Sequence, residues 1–221
     1  MGLRSPYMVD SETTNTPNDP ATARAGNGRL TAPERRDRIL RAARSEFARV
    51  GYHGASTSAI AELAGCSEPM LYKHFAGKHD LFLSALRDSI AGFQAWFEEV
   101  LDSDPSTDAV RQALTVIREQ LPDPAFQQLM RLRMLAVSLS DDDEVRATLA
   151  ELDVRTKRQI IDFVERGIEQ GSVARDVDPA YVAWMWISMM LGACYCEALE
   201  PGTFALADRY VERFIASLAA R

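Results

Sequence analysis

The chain has 221 residues, 47% of them hydrophobic and 26% charged, which suits one globular domain or two small ones with a real core. Three cysteines (Cys66, Cys194 and Cys196) are too few and odd in number for a disulfide framework, and collagen-like, cysteine-dense and low-complexity classes are excluded. The net charge of −7 argues at first against nucleic acid, but its distribution reverses that: residues 24–87 hold eleven Lys/Arg against six Asp/Glu (net +5), and residues 88–221 hold thirteen against twenty-three (net −10).

A basic block joined to an acidic body is the pattern of a nucleic-acid-binding head on a body that does not bind nucleic acid. Ahead of the block, residues 1–30 are rich in Ser, Thr, Asn, Pro and Gly and read as a flexible arm. Arg24 and Arg29 at its end are candidates for a minor-groove contact. The opening MGLRSPYMVD has no apolar run, and Pro6 breaks the myristoylation pattern that Gly2 would start. A cytoplasmic location is expected.

Thr31-Ala-Pro-Glu34 is a capping box with proline in the first turn. The helix it opens carries Ile39, Leu40, Ala43 and Phe47 at helical spacing, shows arginines 35, 36, 38, 41 and 44 on its other face, and stops near Gly51. A short second helix runs from Thr57 to Ala64. Gly65-Cys66-Ser67 forms a turn, and a third helix runs from Ser67 or Glu68 to about Phe75, with Pro69 in its first turn.

A long helix from Lys78 to about Leu101 carries Leu81, Phe82, Leu86, Ile90, Phe93 and Phe97. Further helices fit 107–121, 125–139, 143–170, 179–198 and 204–220, separated by Asp-Pro, Pro-Asp-Pro, Gly and Pro-Gly breaks. No segment alternates like a strand. The expected fold is all-α, with about nine helices.

The second and third helices read as a helix-turn-helix. Two short helices that cross steeply need a small residue at closest approach, supplied by Ala61, and a turn residue comfortable at positive φ, supplied by Gly65. The residues at the end of the third helix and beyond are more specific. Leu71-Tyr72-Lys73-His74-Phe75-Ala-Gly-Lys78-His79-Asp80-Leu81 closely resembles the signature of TetR-family repressors, as does Gly51-Tyr52-His53-Gly54-Ala55-Ser56-Thr57 before it.

The resemblance implies a DNA-binding domain over 31–78 and a ligand-binding and dimerisation domain over 79–221. It implies that the third helix enters the major groove, so Glu68, Pro69, Met70 and Lys73 would lie at base edges or their flanks. Tyr72 and Lys78 would meet phosphates, and Thr57 and Ser58 would offer hydroxyls and backbone N–H groups to another. Glu68 departs from many relatives. A carboxylate there either accepts from a cytosine amine or turns away from the groove and favours the helix dipole. His74 is expected to pack and hydrogen-bond between the third and fourth helices. His53 and His79 lack partner carboxylates at ligand spacing, so no metal site and no cofactor are expected.

Residues 179–196, PAYVAWMWISMMLGACYC, carry no formal charge. That length touches the threshold for crossing a membrane, but Asp178 and Glu197 flank it in place of Lys or Arg, so no membrane partner is expected. A helix apolar on all sides must be buried on all sides, and a second copy of the chain is the simplest cover. The last helix adds an apolar stripe of Tyr210, Val211, Phe214 and Leu218. The cysteines are expected to be buried small hydrophobes.

Phe93, Phe97, Met130, Met134, Trp184, Met189 and Met190 are candidates for an apolar effector pocket. Such a stripe serves equally as core. The expected function is a homodimeric transcriptional regulator, a repressor released from a palindromic DNA operator by a hydrophobic small molecule. The alternative is a constitutive DNA-binding regulator without an effector. An enzyme is remote: Cys66, His74, His79 and Asp80 sit inside the helix-turn-helix or at its exit, where other duties explain them.

Overall fold

Eight helices are described in the computed structural model, which covers residues 31–102 and 123–219. In chain order they are α1 (Ala32–Gly54), α2 (Thr57–Leu63), α3 (Glu68–Leu71), α4 (Lys78–Asp102), α5 (Pro124–Ser138), α6 (Asp143–Gln170), α7 (Pro179–Leu199) and α8 (Phe204–Leu218). The arm with Arg24 and Arg29 and the helix expected over 107–121 lie outside the described residues.

The helix ends derive from local chemistry. Thr31 and Glu34 form the expected capping box: the Thr31 N–H donates to the Glu34 carboxylate at 2.8 Å, and the Glu34 N–H donates back to the Thr31 hydroxyl. The Thr31 N–H foremost, and then the Thr31 hydroxyl, which also donates to the carboxylate at 2.8 Å, hold the Glu34 carboxyl below its ordinary range. Asp123, Asp142 and Asp178 cap α5, α6 and α7 by accepting from first-turn N–H groups. The helix breaks at Gly51, as expected, where φ is 77° and ψ is 172°, and a short helical turn beyond the kink carries α1 on to Gly54. That backbone region is essentially restricted to glycine.

Packing joins the head to the body. Ile39, Leu40 and Phe47 of α1, Ile60 of α2, Leu71 of α3, and Leu81 and Phe82 of α4 form one buried cluster that continues into Leu129 and Leu132 of α5. Phe47 is edge-on to Phe82 at 5.2 Å and stacked on Tyr52 at 6.0 Å. Burying such a ring contributes about 1.5–3 kcal/mol. Arg44 of α1 and Asp88 of α4 add an ion pair at 2.5 Å. α4 thus leaves the head as part of a shared core. A second cluster lies between α4, α6 and α7, with Trp96, Phe97, Ile160, Val164, Val182 and Ala183.

α7 is buried on one side only. Val182, Ala183, Met190 and Cys194 face the core, while Tyr181, Trp184, Tyr195 and Leu199 are each more than half exposed. By length and composition alone the helix would also cross a membrane. Of the cysteines, only Cys194 is buried; Cys66 is half-buried and Cys196 exposed, a correction to the expectation that all three are interior. Burial pushes the Cys194 thiol up to about 11, which leaves it inert near neutral pH.

Candidate nucleic-acid interface

The turn between α2 and α3 is built on Gly65 at φ 63°. There the Gly65 N–H donates to the Glu62 carbonyl, and the Cys66 N–H to that of Ala61. A Cβ at position 65 would come within 2.9 Å of the Arg38 guanidinium. Ser56 caps α2 by accepting from the Ala59 N–H. Ser67 precedes α3 without a side-chain capping bond and is exposed.

The regular part of α3 spans only four residues, and hydrogen-bonded turns carry the backbone on to Phe75. Leu71 and Phe75 plug its inner side into the core. Pro69, Tyr72 and Lys73 are exposed on the outer side, together with Ser58 of α2. Met70 is half-buried, and its sulfur accepts from Arg35 of α1 at 3.8 Å. The position one step before Leu71 is drawn toward α1, so Met70 is less exposed than Pro69, Tyr72 and Lys73.

Glu68 makes a contact that spacing alone does not show. The Thr57 hydroxyl donates to its carboxylate at 2.5 Å, and the Tyr72 phenol lies 3.1 Å from the same hydroxyl. Since the Thr57 hydrogen is directed at Glu68, the phenol is the donor in the second contact. The three side chains tie the start of α2 to α3, and a phosphate approaching Thr57 competes with Glu68 for its proton.

Lys78 begins α4 with its ammonium 3.4 Å from the His53 carbonyl and 4.8 Å above the Tyr52 ring. It therefore joins α4 to the end of α1 as well as placing a positive charge there. His74 is half-buried, 6.4 Å from the Phe75 ring. Its ring makes no hydrogen bond among the described residues, which corrects the hydrogen-bonding part of the expected role and leaves the packing part.

His79 does have carboxylate partners: its Nε2 is 2.9 Å from Asp142, and its Nδ1 is 3.8 Å from Glu144. These residues are more than sixty positions away and are brought over only when the start of α6 packs beside α4. Asp142 also caps α6. Its carboxyl is held below the ordinary range, foremost by the Val145 N–H and also by His79. One residue thus ties the first turn of α6 to the start of α4.

The apolar candidates in the body divide. Phe93 stacks on Phe97 at 5.8 Å and packs against Phe126. Phe97, Met130 and Met190 are buried in the core, and Met189 packs partly buried against it. Trp184 is 58% exposed on the outer face of α7, so it leaves the set of interior candidates. Met134 lines a cleft of about 550 Å³ between α5, α6 and α7.

Comparison with known proteins places these features. A model of bacterial regulatory proteins of the tetR family matches residues 39–85, and one of the BetI-type transcriptional repressor C-terminal region matches residues 109–220. The transcriptional activator FasR of Mycolicibacterium smegmatis is 43% identical over 68 residues, covering 31% of this chain and 31% of its own length. The transcriptional regulator RutR of Escherichia coli K12 is 28% identical over 172 residues, 76% of this chain and 77% of its own. A regulator from Saccharomonospora viridis, solved in complex with choline, shares the fold at a TM-score of 0.73 with 24% identity, over 86% of this chain and all of that one.

Proposed function

Because the chain belongs to the TetR family of bacterial transcriptional regulators, with a BetI-type C-terminal region, we propose that it is a cytoplasmic homodimeric repressor that grips a palindromic operator and is released by a small molecule. DNA-binding control of transcription belongs to the family. The dimer, the palindrome and the effector are the reading proposed for this chain.

The observation that carries it is the outer side of α3. Pro69, Tyr72 and Lys73 stand exposed, next to the start of α2, within the block of residues 24–87 whose net charge is +5. Two such surfaces related by a two-fold axis suit half-sites one helical turn, about 34–36 Å, or more apart. Selection of bound fragments from a random DNA pool tests this directly. The expected product is an inverted repeat; recovery of unrelated sequences would sink sequence-specific binding.

Phosphate contacts release counterions, so log K falls with log salt. Lys78→Ala is expected to reduce that slope by about 1 and to weaken all DNA sequences alike. Binding titrations at several salt concentrations measure it, and an unchanged slope removes Lys78 from the phosphate contacts.

An effector that favours the released state by about 1–3 kcal/mol shifts DNA affinity roughly 5–150-fold, and linkage requires operator DNA to weaken effector binding by the same factor. Calorimetric titration with and without operator checks that equality. The constitutive reading draws on the dense packing of Phe97, Met130 and Met190. A regulator whose DNA affinity no ligand moves would establish it.

A further inference from the structure

We propose that the cleft between α5, α6 and α7 binds a small amphipathic carboxylate, with Arg133 and Arg146 receiving the anion and the apolar wall receiving its hydrocarbon part. This rests on the effector reading above and names the chemistry of its ligand.

The cleft, about 550 Å³, falls within the 300–1,000 Å³ usual for small-molecule sites. Met134, Val137, Leu149 and Leu191 supply its apolar lining. None of the Phe93, Phe97, Met130, Met189 and Met190 side chains expected from the sequence contributes to it. The polar groups are two arginines and Asp153.

Arg133 carries the inference. It is 8% exposed, yet among the described residues its guanidinium donates a single hydrogen bond, to Asp153 at 3.1 Å. A guanidinium has five N–H donors in a planar fork that matches a carboxylate. The remaining donors of Arg133 are not sealed in the interior; the residue lines the cleft, where a ligand carboxylate can meet them.

The charge balance agrees. Asp153 is shared by two cations, Arg133 and Lys157, the latter at 2.6 Å. One carboxylate facing two cations leaves positive charge at the cleft. Burial lowers the pKa of Arg133, and the neighbouring Asp153 opposes that. Arg146 lines the cleft from α6, opposite the α5 residue Arg133, and is bonded to Asp143 and to the Ser140 carbonyl at 3.0 Å. With a side chain 58% exposed, it is free enough to swing toward an anion. A cation such as a quaternary ammonium finds no aromatic cage here and meets two arginines.

The position also suits a switch. Arg146, Leu149 and Asp153 are on the early turns of α6, and the cap of that helix, Asp142, holds His79 at the exit of the head. An anion that draws Arg146 away from Asp143 acts one turn from that joint.

The test uses the full chain and three probes of equal length: octanoate, 1-octanol and octyltrimethylammonium. Calorimetry is expected to show octanoate binding at least tenfold more tightly than the other two. Arg146→Gln and Arg133→Lys are each expected to weaken octanoate about tenfold and leave 1-octanol unchanged. Arg133→Lys keeps a cation beside Asp153, and Arg146, 58% exposed, is changed outside the core; thermal unfolding of both variants is followed to check that they fold.

Equal affinity for octanoate and 1-octanol, preference for the ammonium, or octanoate binding indifferent to both variants overturns the proposal. Binding of selected operator DNA is followed in parallel. Octanoate binding that depends on the arginines but leaves DNA affinity unchanged supports the cleft assignment and overturns the effector reading. DNA release by another compound without octanoate binding overturns the cleft assignment alone.

Discussion

A chain carrying Trp184→Glu and Tyr195→Glu together is expected to sediment as a monomer at micromolar concentration and to lose about 10²–10⁴-fold in affinity for the full palindrome. Tyr181, Trp184, Tyr195 and Leu199 succeed one another at spacings of three, eleven and four on α7, and each is more than half exposed. They form one apolar face, which Tyr210 of α8, 70% exposed, extends. Such a face calls for a cover. In a two-fold dimer each substitution occurs twice, so four carboxylates would have to be buried without partners, at a cost far above what an apolar contact returns.

A monomer then holds one half-site, and the gain from linking two binding events, about 10²–10⁴-fold, disappears. The altered side chains lie outside both core clusters, so thermal unfolding of the monomer should stay cooperative. Sedimentation velocity and DNA titration together decide it. A dimer that persists with unchanged DNA affinity removes the α7 face from the interface.

Gly65→Val is expected to cost about 5–150-fold in operator affinity while leaving the dimer intact. The residue sits at φ 63°, where a β-branched side chain is strained by about 1–3 kcal/mol. Its Cβ would also press on the Arg38 guanidinium at 2.9 Å. Arg38 is exposed and can swing away, so the backbone strain dominates. Relief of that strain re-angles α3 against α2, and with it Tyr72, which reaches Thr57 across this turn. Normal operator binding by the variant would show that the turn tolerates a side chain and that α3 is positioned by other contacts.

The sequence by itself determined what depends on neighbours within one helical turn. The capping box at Thr31 and Glu34, the positive-φ glycine in the helix-turn-helix and the αL cap at Gly171 are local, because a backbone N–H at a helix start or a crowded φ is resolved within three or four residues. The fold class and the helix-turn-helix signature were legible for the same reason.

Tertiary structure decided which side chains meet across helices. Thr57 with Glu68, His79 with Asp142, and Arg133 with Asp153 are 11, 63 and 20 positions apart, distances over which spacing carries no geometry. Direction is hard to read on α3, where one step along a four-residue helix separates the buried Leu71 from the exposed Tyr72. The same difficulty misplaced Trp184. Where a helix is apolar all round, as α7 is, hydrophobic periodicity has no direction, and only the packing of α4 and α6 against Val182 and Ala183 turns Trp184 outward.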